Sequence, residues 1–102
     1  VSKQFYQVIA HYQAIPEKSD EVAANLAQLA EASRNEPDNL SYTVSRALDN
    51  PHHFVIIESY GSKAGFAAHR ESDHFQQIGV ARIIPALEDR TVTAFYGDGS
   101  LD

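Results

Sequence analysis

His69 and His74 lie in the run Ala68-His69-Arg70-Glu71-Ser72-Asp73-His74-Phe75 and are the residues best suited to chemistry in a chain with no cysteine. Without thiols, a thiolate nucleophile, a disulfide frame and a cysteine-ligated metal or cluster are all excluded, so any catalysis falls to His, carboxylates, Tyr or backbone groups. His69 follows Phe66 by three residues on a short helical stretch, which puts both side chains on one face. If Phe66 packs toward a sheet, His69 enters the gap between helix and sheet. A buried imidazole is costly to charge, so it stays neutral near pH 7, accepting a proton at one nitrogen while donating from the other. It then acts either as a proton shuttle or as a structural group bonded to a carbonyl or to Glu58. His74 comes two residues after Ser72, in the first turn of a new helix, where free backbone N–H groups and a neutral imidazole could bind an anionic or phenolate oxygen. The alternative is an exposed first-turn residue, with Phe75 making the core contact.

Glu58 and Tyr60 share one face of the strand that precedes these histidines, and Tyr42, Phe66 and Phe75 add aromatic surface. Most of the aromatic residues must be core. A subset of them can line a flat pocket in which Tyr hydroxyls orient a planar ligand. Glu58 would orient a histidine or act as a base, or else pair with Arg46 across a hairpin. A metal site is not expected, because His69 and His74 are five residues apart across a helix break and helical i, i+4 ligation is unavailable. The adjacent His52 and His53 fit a solvated turn. No glycine pattern cradles a phosphate, so neither a flavin nor a nicotinamide is expected.

The elements that position these residues follow from periodicity. Residues 4 to 14 alternate with apolar groups on both faces, a strand covered on both sides. Pro16 ends it, and Ser19-Asp20-Glu21 caps a helix over about 19–35, with Val22, Leu26, Leu29, Ala30 and Ser33 in one stripe and Pro37 as its stop. Residues 40–48 and 54–60 have strand character and flank the turn Asp49-Asn50-Pro51-His52, forming an antiparallel hairpin. Ser62 caps a short helix, Ser72 a second one reaching about Ile84, and Thr91 to Tyr96 is the last strand, followed by a mobile tail over residues 97–102. The order β-α-β-β-α-β is α+β, a ferredoxin-like antiparallel sheet with both helices on one face. The expected organisation is one domain over residues 1–102, with its core at about 4–96. Phe5, Ile9, Phe54 and Ile56 suggest that the face away from the helices is also apolar, and a second copy of the chain would cover it.

The net charge of −6 and the scattered basic residues argue against nucleic acid or an anionic membrane as partner. No segment has the length of a membrane span, and the first residues lack an apolar signal core, so the expected location is cytoplasmic.

The turn Glu36-Pro37-Asp38-Asn39-Leu40, followed after the third strand by the Ala-His-x-x-Ser-x-His-Phe run, resembles the antibiotic biosynthesis monooxygenase family, and the resemblance extends over residues 4–96. It implies a dimeric α/β barrel made by two sheets packed face to face. It also implies an enzyme needing neither metal nor flavin, in which the substrate's own carbanion reduces molecular oxygen. A cofactor-independent monooxygenase of small quinol or polyketide-like aromatics follows, with His69 and His74 as catalytic residues and Tyr60, Glu58, Phe66, Phe75 and Tyr42 around the substrate. Two alternatives stay open: an isomerase acting on a hydroxy-carbonyl metabolite without oxygen, and a non-catalytic dimeric ligand-binding module. The haem-degrading branch of the family uses an Asn, a Trp and a His where this chain has Ala10, His69 and Gly79. The run itself is more similar to the quinol-monooxygenase branch.

Overall fold

In the computed structural model, which describes residues 4–98, the chain builds one four-stranded antiparallel sheet in the order β2-β3-β1-β4. The strands are β1 (Gln4–Ala14), β2 (Asn39–Arg46), β3 (His53–Tyr60) and β4 (Leu87–Asp98). Helix α1 (Ser19–Arg34) connects β1 to β2, while α2 (Lys63–Glu71) and a π-helix (Phe75–Ile83) lie between β3 and β4. This is the ferredoxin-like α+β arrangement, and its four strands do not close into a barrel. Among the described residues no helix is long and apolar enough to cross a membrane.

Strand register decides which residues meet the helices. Tyr12 pairs with Phe54 and Arg90, Ala10 with Ile56 and Val92, Val8 with Glu58 and Ala94, and Tyr6 with Tyr60 and Tyr96. Because side chains alternate along a strand, these rows all point to one face. Val22, Leu26 and Leu29 of α1 close over that face and are at most 1% exposed. Ala30 and Ser33 extend the stripe, as the helical spacing predicts.

The register corrects one expectation about the opposite face. Phe54 and Ile56 belong to the helix-covered core, each 1% exposed. The apolar residues of the open face are Phe5, Ile9, Val55, Ile57 and Phe95, which alternate with the core set, and Ile57 and Phe95 are well exposed.

Three boundaries also differ from the sequence reading. β2 ends at Arg46, and Leu48 is fully exposed. β4 starts at Leu87 rather than Thr91 because pairing with β1 carries the polar segment Glu88-Asp89-Arg90 into the sheet. Gly97 and Asp98, assigned to a tail, complete β4 opposite Phe5 and Gln4; the rest of that tail lies outside the described residues. The helix expected from Ser72 to Ile84 is a π-helix in which the Ile84 N–H reaches Gly79 O. Its wider turn keeps Phe75, Gly79 and Ile83, spaced by four, in one buried line. A methyl at Gly79 would stand 3.1 Å from the Phe75 ring and 3.6 Å from Leu29, so glycine lets the π-helix approach α1.

Candidate active site

The site forms where the turn after α1 meets the junction between α2 and the π-helix. Glu36 bonds through its N–H to Ser33 O at 3.0 Å, and Pro37 ends the helix behind it. Its carboxylate therefore faces α2. Asp38 then anchors the N-terminus of α2: its carboxylate accepts from Ser62 Oγ at 2.6 Å and its carbonyl from Gly61 N–H at 3.0 Å. Gly65 passes so close to that carboxylate that a β-carbon there would collide with it.

Ser72 ends α2 and starts the next helix. Its hydroxyl donates to His69 O at 2.6 Å and accepts from Phe75 N–H at 3.2 Å. The resulting bend brings His69 and His74 together, whereas the sequence reading treated the helix break as separating them. His69 Nδ1 lies 2.8 Å and His74 Nε2 2.5 Å from the same oxygen, Glu36 Oε2. Both nitrogens face a carboxylate oxygen, so both carry hydrogen and donate to it. Ser33 Oγ is a weaker neighbour of His69 Nδ1 at 3.4 Å. The other carboxylate oxygen, Glu36 Oε1, is buried without a hydrogen-bond partner.

His69 is 1% exposed. Its ring is stacked against Phe66 and packed against Phe75, Tyr42 and Tyr60. Nε2 points toward Glu58 Oε1 at 3.6 Å, too long for a hydrogen bond. Glu58 Oε1 instead accepts from the Tyr60 hydroxyl at 2.6 Å. It does not pair with Arg46, which binds Asp20.

Burial sets the protonation states. It pulls the His69 imidazole below the ordinary histidine value, against the hydrogen bond and charge of Glu36, while His74 and Arg70 add to the lowering. Burial pushes the Glu58 carboxyl up to about 7, opposed by the Tyr60 hydrogen bond and reinforced by the charge of Glu36. Tyr60 is raised by burial and then by the Glu58 carboxylate, and Tyr42 by the same two causes, so both phenols stay protonated. A neutral base and an acid that titrates near neutrality thus face one another.

A cavity of about 330 Å³ opens beside them. His69, Glu58, Phe66 and Phe75 line it, as do Tyr12 and Arg90, which the sequence reading had not placed there. Tyr42 and Tyr60, expected among the substrate contacts, are buried behind His69 and are not among its walls. His74 also stands outside the lining and reaches the site through Glu36. At the hairpin, His52 bonds Ser19 and His53 faces His11, away from the cavity lining.

Glu36, His69 and His74 each offer one ligand atom, all within 4.8 Å of one another. Two imidazoles and a carboxylate suit a divalent cation with open coordination positions. The helical-spacing argument against ligation does not reach this grouping, because its third donor comes from a distant turn.

Residues 5–79 match the family model for antibiotic biosynthesis monooxygenase. The chain belongs to the antibiotic biosynthesis monooxygenase family. This family includes monooxygenases. A crystal structure of an antibiotic biosynthesis monooxygenase is 32% identical, with 88% of this chain and 95% of that one aligned at a TM-score of 0.83. Rv0793 from Mycobacterium tuberculosis is 25% identical over 96% of both chains, with a TM-score of 0.83. A conserved protein from Methanosarcina mazei Go1, 24% identical, covers 91% of this chain and 92% of its own at 0.84, and shows the same fold. No curated protein matches the sequence. Gly79 carries no side chain and packs against the Phe75 ring and Leu29.

Proposed function

We propose that this chain is a cofactor-independent monooxygenase of a small quinol or polyketide-like aromatic, with His69 as the base. The observation that carries this reading is the orientation of one imidazole. Nδ1–H is committed to Glu36, while Nε2, with its lone pair, has no hydrogen-bond partner beside the cavity. A phenol or acidic C–H placed there gives its proton to Nε2, and the imidazolium is stabilised by Glu36. His74 supports the step by fixing the Glu36 carboxylate, and Tyr60 by holding Glu58.

The substrate anion then passes an electron to dioxygen, and the resulting radical and superoxide combine into a peroxide anion, which takes the proton back from His69 Nε2 to become a hydroperoxide. Loss of water from it leaves a carbonyl, so one oxygen atom stays in the product and the other departs as water. Glu58, titrating at about 7, is suited to donate the proton that leaves with that water. Phe66, Phe75 and Tyr12 provide the apolar walls that keep the anion dry. The reaction needs no bound cofactor.

A second reading is an isomerase acting on a hydroxy-carbonyl compound. It is favoured by the two proton-transfer groups, His69 and Glu58, facing one another across 3.6 Å, since one can remove a proton and the other return it. Oxygen-electrode measurements with a quinol panel separate the two: uptake that disappears in a His69→Gln variant supports the monooxygenase. Product formed without uptake supports the isomerase, and binding without turnover a ligand-binding module.

We also propose a homodimer in which the open sheet face, with Ile57 and Phe95, is covered by a second copy.

A further inference from the structure

We infer that the ligand of this cavity is an aromatic acid, whose ring lies between Phe66 and Tyr12 and whose carboxylate is held by Arg70 and Arg90 at the rim. The inference rests on the preceding reading of the cavity as a substrate site and adds the charge of what enters it. Arg70, in the last turn of α2, and Arg90, on β4 opposite Tyr12, both line the cavity and are both exposed. Glu58 and His69 are 5% and 1% exposed. The cavity is therefore polarised, with proton-transfer groups at its inner end and two guanidinium groups at its mouth.

Among the described residues neither arginine has a carboxylate within ion-pair distance. Among the described residues the Arg or Lys ion pairs consist of Arg46 with Asp20, while Arg34 is used by the Tyr42 carbonyl. Arg70 lies over the Phe66 ring at 5.7 Å and Arg90 over the Tyr12 ring at 5.8 Å. Each guanidinium is thus held against an aromatic wall of the cavity. In a chain of net charge −6, two cations at one opening, with only the buried Glu58 acting on Arg90 from a distance, run against the background charge. Planar guanidinium groups match planar carboxylates, and a carboxylate conjugated to an aromatic ring presents its oxygens in the plane of the ring. The volume is at the small end of ligand sites, typically about 300–1,000 Å³, and suits a compound of one or two rings.

The test uses a hydroxynaphthoate with hydroxyl and carboxylate at opposite ends, compared with its neutral carboxamide by titration calorimetry on the full chain. The acid should bind about tenfold more tightly, because two exposed charge contacts contribute modestly and are weakened by salt. That preference should shrink at high ionic strength. It should vanish in an Arg70→Gln, Arg90→Gln double variant whose circular dichroism is unchanged, and persist in Arg82→Gln. Equal binding of acid and amide to the native protein overturns the anionic subsite and leaves the role of His69 standing. A preference that survives in the double variant overturns the assignment to these arginines. If neither compound binds while neutral quinols are still turned over, the subsite alone falls; if nothing binds or reacts, the cavity reading falls with it.

Discussion

His69 is more deeply placed than its position on a nine-residue helix suggests, and this governs how it can be tested. His69→Ala would open a cavity among Phe66, Phe75, Tyr42 and Tyr60 and leave Glu36 with one imidazole, so it should destabilise the fold as well as the chemistry. His69→Gln keeps more of the volume and should lower turnover by about 10²–10⁴-fold with a smaller fall in melting temperature. Glu36→Gln removes the charge that stabilises the imidazolium and should cost about 10- to 100-fold in kcat at little change in KM. The pH profile of kcat/KM should be bell-shaped. Its acid limb lies below the ordinary histidine range because the pKa of His69 is lowered, and its alkaline limb lies near 7, where Glu58 ionises. Glu58→Gln should abolish the alkaline limb. Linkage gives the same variant a second signature. The raised pKa of Glu58 makes its contribution to stability full below the unfolded value of 4.5 and lost as pH rises to about 7. Thermal melts of Glu58→Gln should therefore gain on the native protein between pH 5 and pH 8. Sequence alone brought His69 and Glu58 into view, since helical and strand periodicity place each on a face. Glu36 escaped because its partners stand more than thirty residues away and the Glu-Pro-Asp turn reads as a helix stop. The clue available was that a buried histidine needs an acceptor to fix its tautomer.

At the scale of elements, the stripe of α1 and the alternation of β3 were legible because one period runs through each. β4 was half legible: Glu88-Asp89-Arg90 has no apolar alternation, and only its pairing with β1 makes it strand. That missing half contains Arg90. The π-helix could not be read either, because Phe75, Gly79 and Ile83 at a spacing of four also satisfy an α-helix. The junction before it depends on Ser72, whose hydroxyl serves both helices. Ser72→Ala should cost about 1 kcal/mol of stability in denaturant melts. It should also loosen the bond between His74 and Glu36, seen as faster exchange of the His74 ring proton in NMR. Gly65→Ala tests the anchor at the other end of α2: collision with Asp38 should lower the melting temperature, whereas Ala normally favours a helix interior over Gly by about 1 kcal/mol.

For the whole molecule, the sequence conveyed the topology and an apolar outer face, though it named two of that face's residues wrongly, because alternation gives two sets of side chains without saying which one the helices cover. Ile57→Asp places a charge in the proposed dimer interface and should convert a particle of twice the chain mass to a monomer by light scattering, with circular dichroism retained. Persistence of the native mass in that variant would remove this face as the interface. Chelator treatment with elemental analysis checks the Glu36, His69 and His74 set: turnover should survive it, and loss of activity restored by a divalent cation would make the cluster a metal centre. The register of the sheet has one further consequence. Gln4 pairs with Asp98, so the two ends of the described chain are neighbours across one ladder. Joining them by a short linker and reopening the chain beside the fully exposed Leu48 would yield a circular permutant in which Glu36 follows His69 and His74 in sequence. If that permutant regains the same site, the order in which the polypeptide is threaded is immaterial to assembling it, and packing alone brings the three side chains together.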